Sequence, residues 1–151
     1  MTPSPFGPHQ RLIARLTYYF VGQLVEQGCT DCEVYSELDW IVSDDTVVRP
    51  DLSIVCNHPV QRFIETCPTL VVEVLSESTA EKDRTAKYEL FESQGVKYYL
   101  MLDPLTRAHQ LYQAIDGVFA LLEDKNPIEL YLHDQCRLTF DPKSKLLWSN
   151  F

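Results

Sequence analysis

The chain has no run of roughly eighteen apolar residues, so nothing in it reads as a membrane-spanning helix. Its start, MTPSPFGPHQ, lacks a basic region followed by an apolar one. It therefore does not read as a signal peptide, and a cytoplasmic location is the expectation. Positive charge is scarce: 13 Lys and Arg face 22 Asp and Glu, for a formal net charge of -9. That balance disfavours a passive, high-affinity DNA coater, which needs clustered basic side chains. It leaves room for a small enzyme with a local basic rim, or with a metal that offsets carboxylates. The familiar signatures G-x-x-x-x-G-K-[ST], G-x-S-x-G and H-E-x-x-H are all missing. The four histidines, His9, His58, His109 and His133, are dispersed and read as forming no metal-spaced pair. Cysteine is limited to Cys29, Cys32, Cys56, Cys67 and Cys136. The odd count and the lack of a secretory signal argue against a disulfide framework. Cys29 and Cys32 make a C-x-x-C, but no second such pair completes a zinc ribbon, and the pair lies between a helix and a strand rather than at a redox-type strand-to-helix turn. A structural or incidental role is expected for these cysteines.

What is present suits one domain with one core: 151 residues, 45% hydrophobic and 23% charged. Residues 1–8, with three prolines and a glycine, read as a flexible lead, and residues 9–151 as a single domain. From His9 to about Glu26 the residues Leu12, Ile13, Leu16, Tyr19, Phe20 and Leu24 recur at helical spacing. Strands are expected over 32–41 and 47–56, the latter with Pro50 near its start or at a bulge, and a loop or short helix over 60–68. The most strand-like stretch is 69–75, apolar enough to be buried on both faces. A second helix follows, with Ser78 and Glu81 spaced as a capping box and Gly95 as its stop. A strand over 96–102, a hairpin around Asp116-Gly117 and short strands over 128–132 and 136–140 complete the chain. This order predicts one mixed central sheet flanked by helices, an α/β or α+β fold.

Three charged residues stand in awkward places. Asp51 follows Arg49-Pro50 and precedes apolar alternation. Glu73 interrupts Val71-Val72 and Val74-Leu75. Lys87 lies beside Ala86 and four residues before Phe91 on the second helix. A carboxylate in a buried strand loses solvation and needs a cation. Two of them on neighbouring strands call for Mg²⁺, with the Val74 carbonyl as a possible extra ligand. Asp83 shares a helix face with Lys87 at i,i+4, and Arg84 neighbours Lys87 at i,i+3. Each has an ordinary reading too. Asp51 can cap a turn, Glu73 can face water, and Asp83–Lys87 can be a helix pair contributing about 0.2–0.5 kcal/mol.

Taken together, R-P-D at 49–51, V-V-E-V-L-S at 71–76, S-T-A-x-x-D-R-x-x-K at 78–87 and Y-Y-L-M-L-D-P at 98–104 resemble the Uma2 family, abundant in cyanobacteria and assigned to the PD-(D/E)XK nuclease superfamily. The resemblance covers roughly residues 9–122. It implies a restriction endonuclease-like fold and a Mg²⁺-dependent endonuclease acting on DNA, with Mn²⁺ as a possible substitute. Pro50-Asp51 matches the PD motif and Glu73 the acid of the second motif. Leu75 stands where that motif expects lysine, so a lysine migrated to the helix is implied: Lys87, with Lys82 behind it. Asp83 and Arg84 match the helix motif, as flanking or phosphate-contacting groups, and His9 resembles a family position beside the site. The alternative is a catalytically degenerate nuclease fold serving as a nucleic-acid or protein binding module, favoured by Leu75 and the acidic total. A homodimer fits either reading, because cutting both strands takes two sites.

Overall fold

The computed structural model describes residues 6–76, 81–122 and 127–149, and for residues 81 and 82 the backbone alone. Ser78 and the side chain of Lys82 therefore lie outside the described residues. Helix α1 (Gly7–Glu26) begins two residues earlier than its apolar pattern predicts, because Pro8 sits in its first turn, where a missing N–H costs no hydrogen bond. Strands β1 (Cys32–Ser36), β2 (Trp40–Ser43), β3 (Thr46–Val48), β4 (Leu52–Cys56) and β5 (Leu70–Val74) follow. Then come α2 (Glu81–Gln94), β6 (Tyr98–Leu102), β7 (His109–Ile115), β8 (Val118–Leu121), β9 (Ile128–His133), β10 (Cys136–Phe140) and the short α3 (Lys145–Trp148).

The main sheet runs β1-β4-β5-β6-β7-β8. Only β5 and β6 are parallel, and α2 makes the crossover that a parallel pair requires. Two expected strands are each split. Residues 32–41 divide into β1 and β2, with Glu37 at φ 50° turning the chain between them. Residues 47–56 divide at Arg49-Pro50 into β3 and β4, since proline has no N–H to give to a ladder. Strands β2 and β3 pair as a separate hairpin. The four residues of α3 leave no periodic signature in the sequence.

Alternation along β5 and β6 sorts two apolar layers. Val72, Val74, Leu100 and Leu102 pack with Leu12, Leu16 and Phe20 of α1 and with Leu130, Leu138 and Phe140 of the β9–β10 hairpin. Val71, Tyr99 and Met101 pack on the other face with Phe91 of α2 and Trp40 of β2. Strands β4, β5 and β6 are buried along their whole length, as expected for central strands. Glu73 shares the parity of Val71, which puts it on the α2 face.

Helix α1 also holds the C-terminal elements by polar contacts. The Gln23 amide accepts from Thr139 N–H at 2.7 Å and donates to Thr139 O at 3.0 Å. One turn on, Gln27 accepts from Arg137 N–H at 2.9 Å and donates to Arg137 O at 2.6 Å. The two amides thus serve alternate residues of β10, in the manner of a paired strand, and cover a sheet edge. Buried Arg15 donates to the carbonyls of Leu146, Leu147 and Ser149 at the end of α3. The expectation of unpaired cysteines is corrected. Cys29 pairs with Cys136 and Cys32 with Cys56, leaving Cys67 free. The first pair spans 107 residues, so local spacing carries no trace of it.

Candidate active site

Strand β4 starts immediately after Asp51 and lies antiparallel to β5, with Leu52 opposite Val72. This register brings Asp51 beside the C-terminal end of β5. Its Oδ2 accepts a hydrogen bond from the Val74 N–H at 2.7 Å. The same oxygen lies 3.5 Å from His9 Nε2, at the first turns of α1. Neither contact uses Oδ1. One residue before Val74, Glu73 points to the α2 side and is only 7% exposed. Its Oε1 is buried and makes no hydrogen bond, and Lys87 Nζ lies 3.5 Å from it. Lys87 Nζ also lies 3.5 Å from Asp83 Oδ2, one helical turn back.

His9, Asp51, Glu73, Val74 and Lys87 line one cavity of about 170 Å³, together with Arg49, Leu75, Ser76, Arg84 and Tyr99. Its wall is predominantly polar. Burial, then the neighbouring Asp51 carboxylate, pushes the Glu73 carboxyl up to about 8, only partly offset by the Lys87 ammonium. Burial alone would lower Lys87, but Glu73, Asp83 and Asp51 outweigh it and raise the ammonium above its ordinary value. Lys87 is therefore a firm cation at neutral pH. Burial also raises the Tyr99 phenol strongly, with Glu73 adding to it, and the Tyr99 hydroxyl has no hydrogen-bond partner. Arg84 Nε is likewise buried without one. A cavity lined by an orphaned carboxylate oxygen, an orphaned guanidinium nitrogen and an orphaned phenol is built for something that brings both acceptors and positive charge.

The sequence-derived candidates Asp51, Glu73, Val74, Lys87, Arg84 and His9 all reach this cavity. Asp83 contributes from its rim through Lys87. Lys82 falls outside the described side chains. Leu75 lines the cavity without a charge, and the ammonium near Glu73 comes from α2 instead. Sequence reasoning missed Tyr99 and Arg49. Tyr99 was legible in principle, since it pairs in register with Val71 and so has the parity of Glu73. Arg49 is exposed and held by Asp39, with Nε donating to Oδ1 at 2.7 Å.

A family model matches residues 1–137 and carries the description "Putative restriction endonuclease". The chain belongs to the Uma2 family. Among solved structures, the Uma2 chain is similar to a protein from Anabaena variabilis titled a "putative nuclease belonging to DUF820". The two share 16% identity and a TM-score of 0.75, with 99% of this chain and 84% of that one covered. The fold is thus restriction endonuclease-like: a mixed central sheet, flanking helices and a C-terminal β-hairpin. No curated protein matches the Uma2 chain. Among the described residues, no helix is long and apolar enough to cross a membrane.

Proposed function

We propose that this Uma2 chain is a divalent-metal-dependent endonuclease that hydrolyses phosphodiester bonds of DNA. The observation that carries the reading is the buried Glu73 carboxylate, set beside Asp51 and answered by Lys87 from a different element. The donor set fits Mg²⁺ or Mn²⁺: two carboxylates and the Val74 carbonyl, all oxygen. When bound, such an ion lowers the pKa of a water it holds and stabilises charge on a phosphate oxygen.

The protein's own residues do the rest. Asp51, steadied by the Val74 N–H and flanked by His9, would hold the ion through its carboxylate. Glu73 would hold such an ion as a carboxylate, because a nearby positive charge favours the ionised form against the burial and the Asp51 charge that raise its pKa. Lys87 keeps its proton on Nζ, orients the nucleophilic water and offsets the negative charge that grows on the phosphate. Arg84, whose Nε has no hydrogen-bond partner among the described residues, offers its guanidinium to a flanking phosphate, and Asp83 flanks Lys87. The acidic total makes binding depend on this local set rather than on bulk charge.

The test is cleavage of plasmid and linear DNA with Mg²⁺ or Mn²⁺, comparing wild type with Glu73→Gln. The reading requires turnover that the variant lacks while its circular dichroism is unchanged. A variant that cuts as fast as wild type contradicts it. The second reading, a binding module on a nuclease fold, takes its support from Leu75 in the motif's lysine position. Under it, divalent affinity is slight and removing Lys87 costs little, so a large, selective drop in turnover for Lys87→Ala counts against it. A homodimer would supply the second site for a double-strand cut, and sedimentation equilibrium with and without DNA measures it.

A further inference from the structure

A second constellation lies at the opposite end of β4. Ligand atoms of Cys29, Cys32, His133 and Cys136 all lie within 4.8 Å of one another. They come as two short-spaced pairs. Cys29-x-x-Cys32 links α1 to β1, and His133-x-x-Cys136 forms the turn between β9 and β10. Two chelating pairs, each separated by two residues and converging from distant parts of the chain, are the arrangement of structural zinc sites. Cys32 and Cys136 are buried, and Cys29 and His133 are half-buried. A disulfide has no use for an imidazole, yet His133 is in the cluster, its Nε2 buried without a hydrogen bond. Asp31, adjacent to Cys32, lies 3.4 Å from that nitrogen and is placed to accept its N–H, while the other ring nitrogen, Nδ1, bears the lone pair and accepts from the Gln135 N–H at 3.3 Å.

We propose that, when its thiols are reduced, the chain binds one Zn²⁺ through Cys29, Cys32, Cys136 and His133. The pairs Cys29–Cys136 and Cys32–Cys56 are then the oxidised alternative of the same cluster. Each disulfide takes up two electrons and two protons on reduction. A phosphine supplies the electrons and leaves as its oxide, carrying the oxygen of one water. Metal uptake then releases three protons, one from each thiol, while His133 gives the lone pair of a neutral ring nitrogen. Cys56 stays a free thiol, outside the four-donor set. The closed, four-protein-ligand site leaves no open position for substrate, so the ion ties the C-terminal hairpin to the end of α1 rather than catalysing.

The experiment uses the full chain, reduced with a phosphine, stripped with a chelator and titrated anaerobically with Zn²⁺ and with Co²⁺. The expected result is one ion per chain, a raised Tm, and a Co²⁺ spectrum with thiolate charge-transfer and tetrahedral ligand-field bands. His133→Ala and Cys136→Ser should weaken uptake at least on the order of a hundredfold, the upper effect of losing even an outer partner. Cys56→Ser, Cys67→Ser and Glu73→Gln should retain it. Absence of a tetrahedral Co²⁺ spectrum in the reduced wild type overturns the proposal, and needs no variant to fold. Uptake kept by His133→Ala but lost by Cys56→Ser overturns the donor set.

Discussion

The two ends of strand β4 present opposite chemistry. Asp51, just before its first residue, faces a cavity where carboxylates meet basic side chains, whereas Cys56, its last, borders a cluster of sulfur and imidazole. The strand spans roughly 16 Å at ordinary β rise. At the Asp51 end the donors are hard, suited to Mg²⁺ or Mn²⁺, and one buried oxygen is unsatisfied. At the Cys56 end they are soft, suited to Zn²⁺, and when reduced would give the proposed ion four protein ligands. The sheet separates the two, and on the two proposals above each end would take its ion by ligand type. The oxygen end is open and charged, as a reaction needs. The sulfur end is closed, as a staple needs.

Breaking the oxygen end should have the largest effect. Glu73→Gln is expected to lower turnover by at least ~10³-fold, since it removes a ligand of the ion that supplies both nucleophile and charge stabilisation. Turnover is measured at a Mn²⁺ concentration that saturates wild type, with the fold checked by circular dichroism, and the variant should still take up Zn²⁺ when reduced. Lys87→Ala is expected to cost about 10²–10³-fold in kcat, the range for losing one group aimed at developing charge. Single-turnover cleavage measures it, and retained Mn²⁺ affinity would separate loss of the ammonium from loss of the ion.

A pH titration sharpens the contrast without touching the sulfur end. The Glu73 carboxyl sits at about 8 in the folded chain against an ordinary value of 4.5. The folded state therefore holds a proton that the unfolded state releases. This contribution to stability is fully present below pH 4.5 and is lost as pH rises through about 8. The unfolding free energy of the metal-free protein, from urea titrations, should fall over that window by on the order of a few kcal/mol in total. Glu73→Gln should flatten the decline. A smaller effect tests the hairpin that carries His133 and Cys136. Gln27→Ala leaves the Arg137 N–H and carbonyl without their side-chain partner, and should cost about 1 kcal/mol in chemical denaturation. Zn²⁺ should offset that loss in the reduced protein.

The oxygen end was largely legible in the sequence, because an acid inside Val71-Val72-Glu73-Val74 contradicts its surroundings and invites a reason. Lys87 was legible through helical spacing, although its approach to Glu73 depends on how α2 lies across β5. Tyr99 hid among apolar neighbours whose pattern reads only as core. The sulfur end was not read, because a search for a second C-x-x-C passes over His133-x-x-Cys136, and because only the sheet and hairpin bring residues 29 and 136 together. The framework of α1, β5 and β6 followed from periodicity, while the splitting at Glu37 and at Pro50 came from single backbone constraints within longer apolar runs.

The central claim, a shared carboxylate site for a hard divalent ion, is tested most directly by Mn²⁺ calorimetry near pH 8 on wild type, Asp51→Asn and Glu73→Gln. The account predicts one ion per chain in wild type at this end, lost in both variants with the fold intact. Binding that survives both substitutions, or none in wild type even with a DNA oligonucleotide present to complete the site, contradicts it.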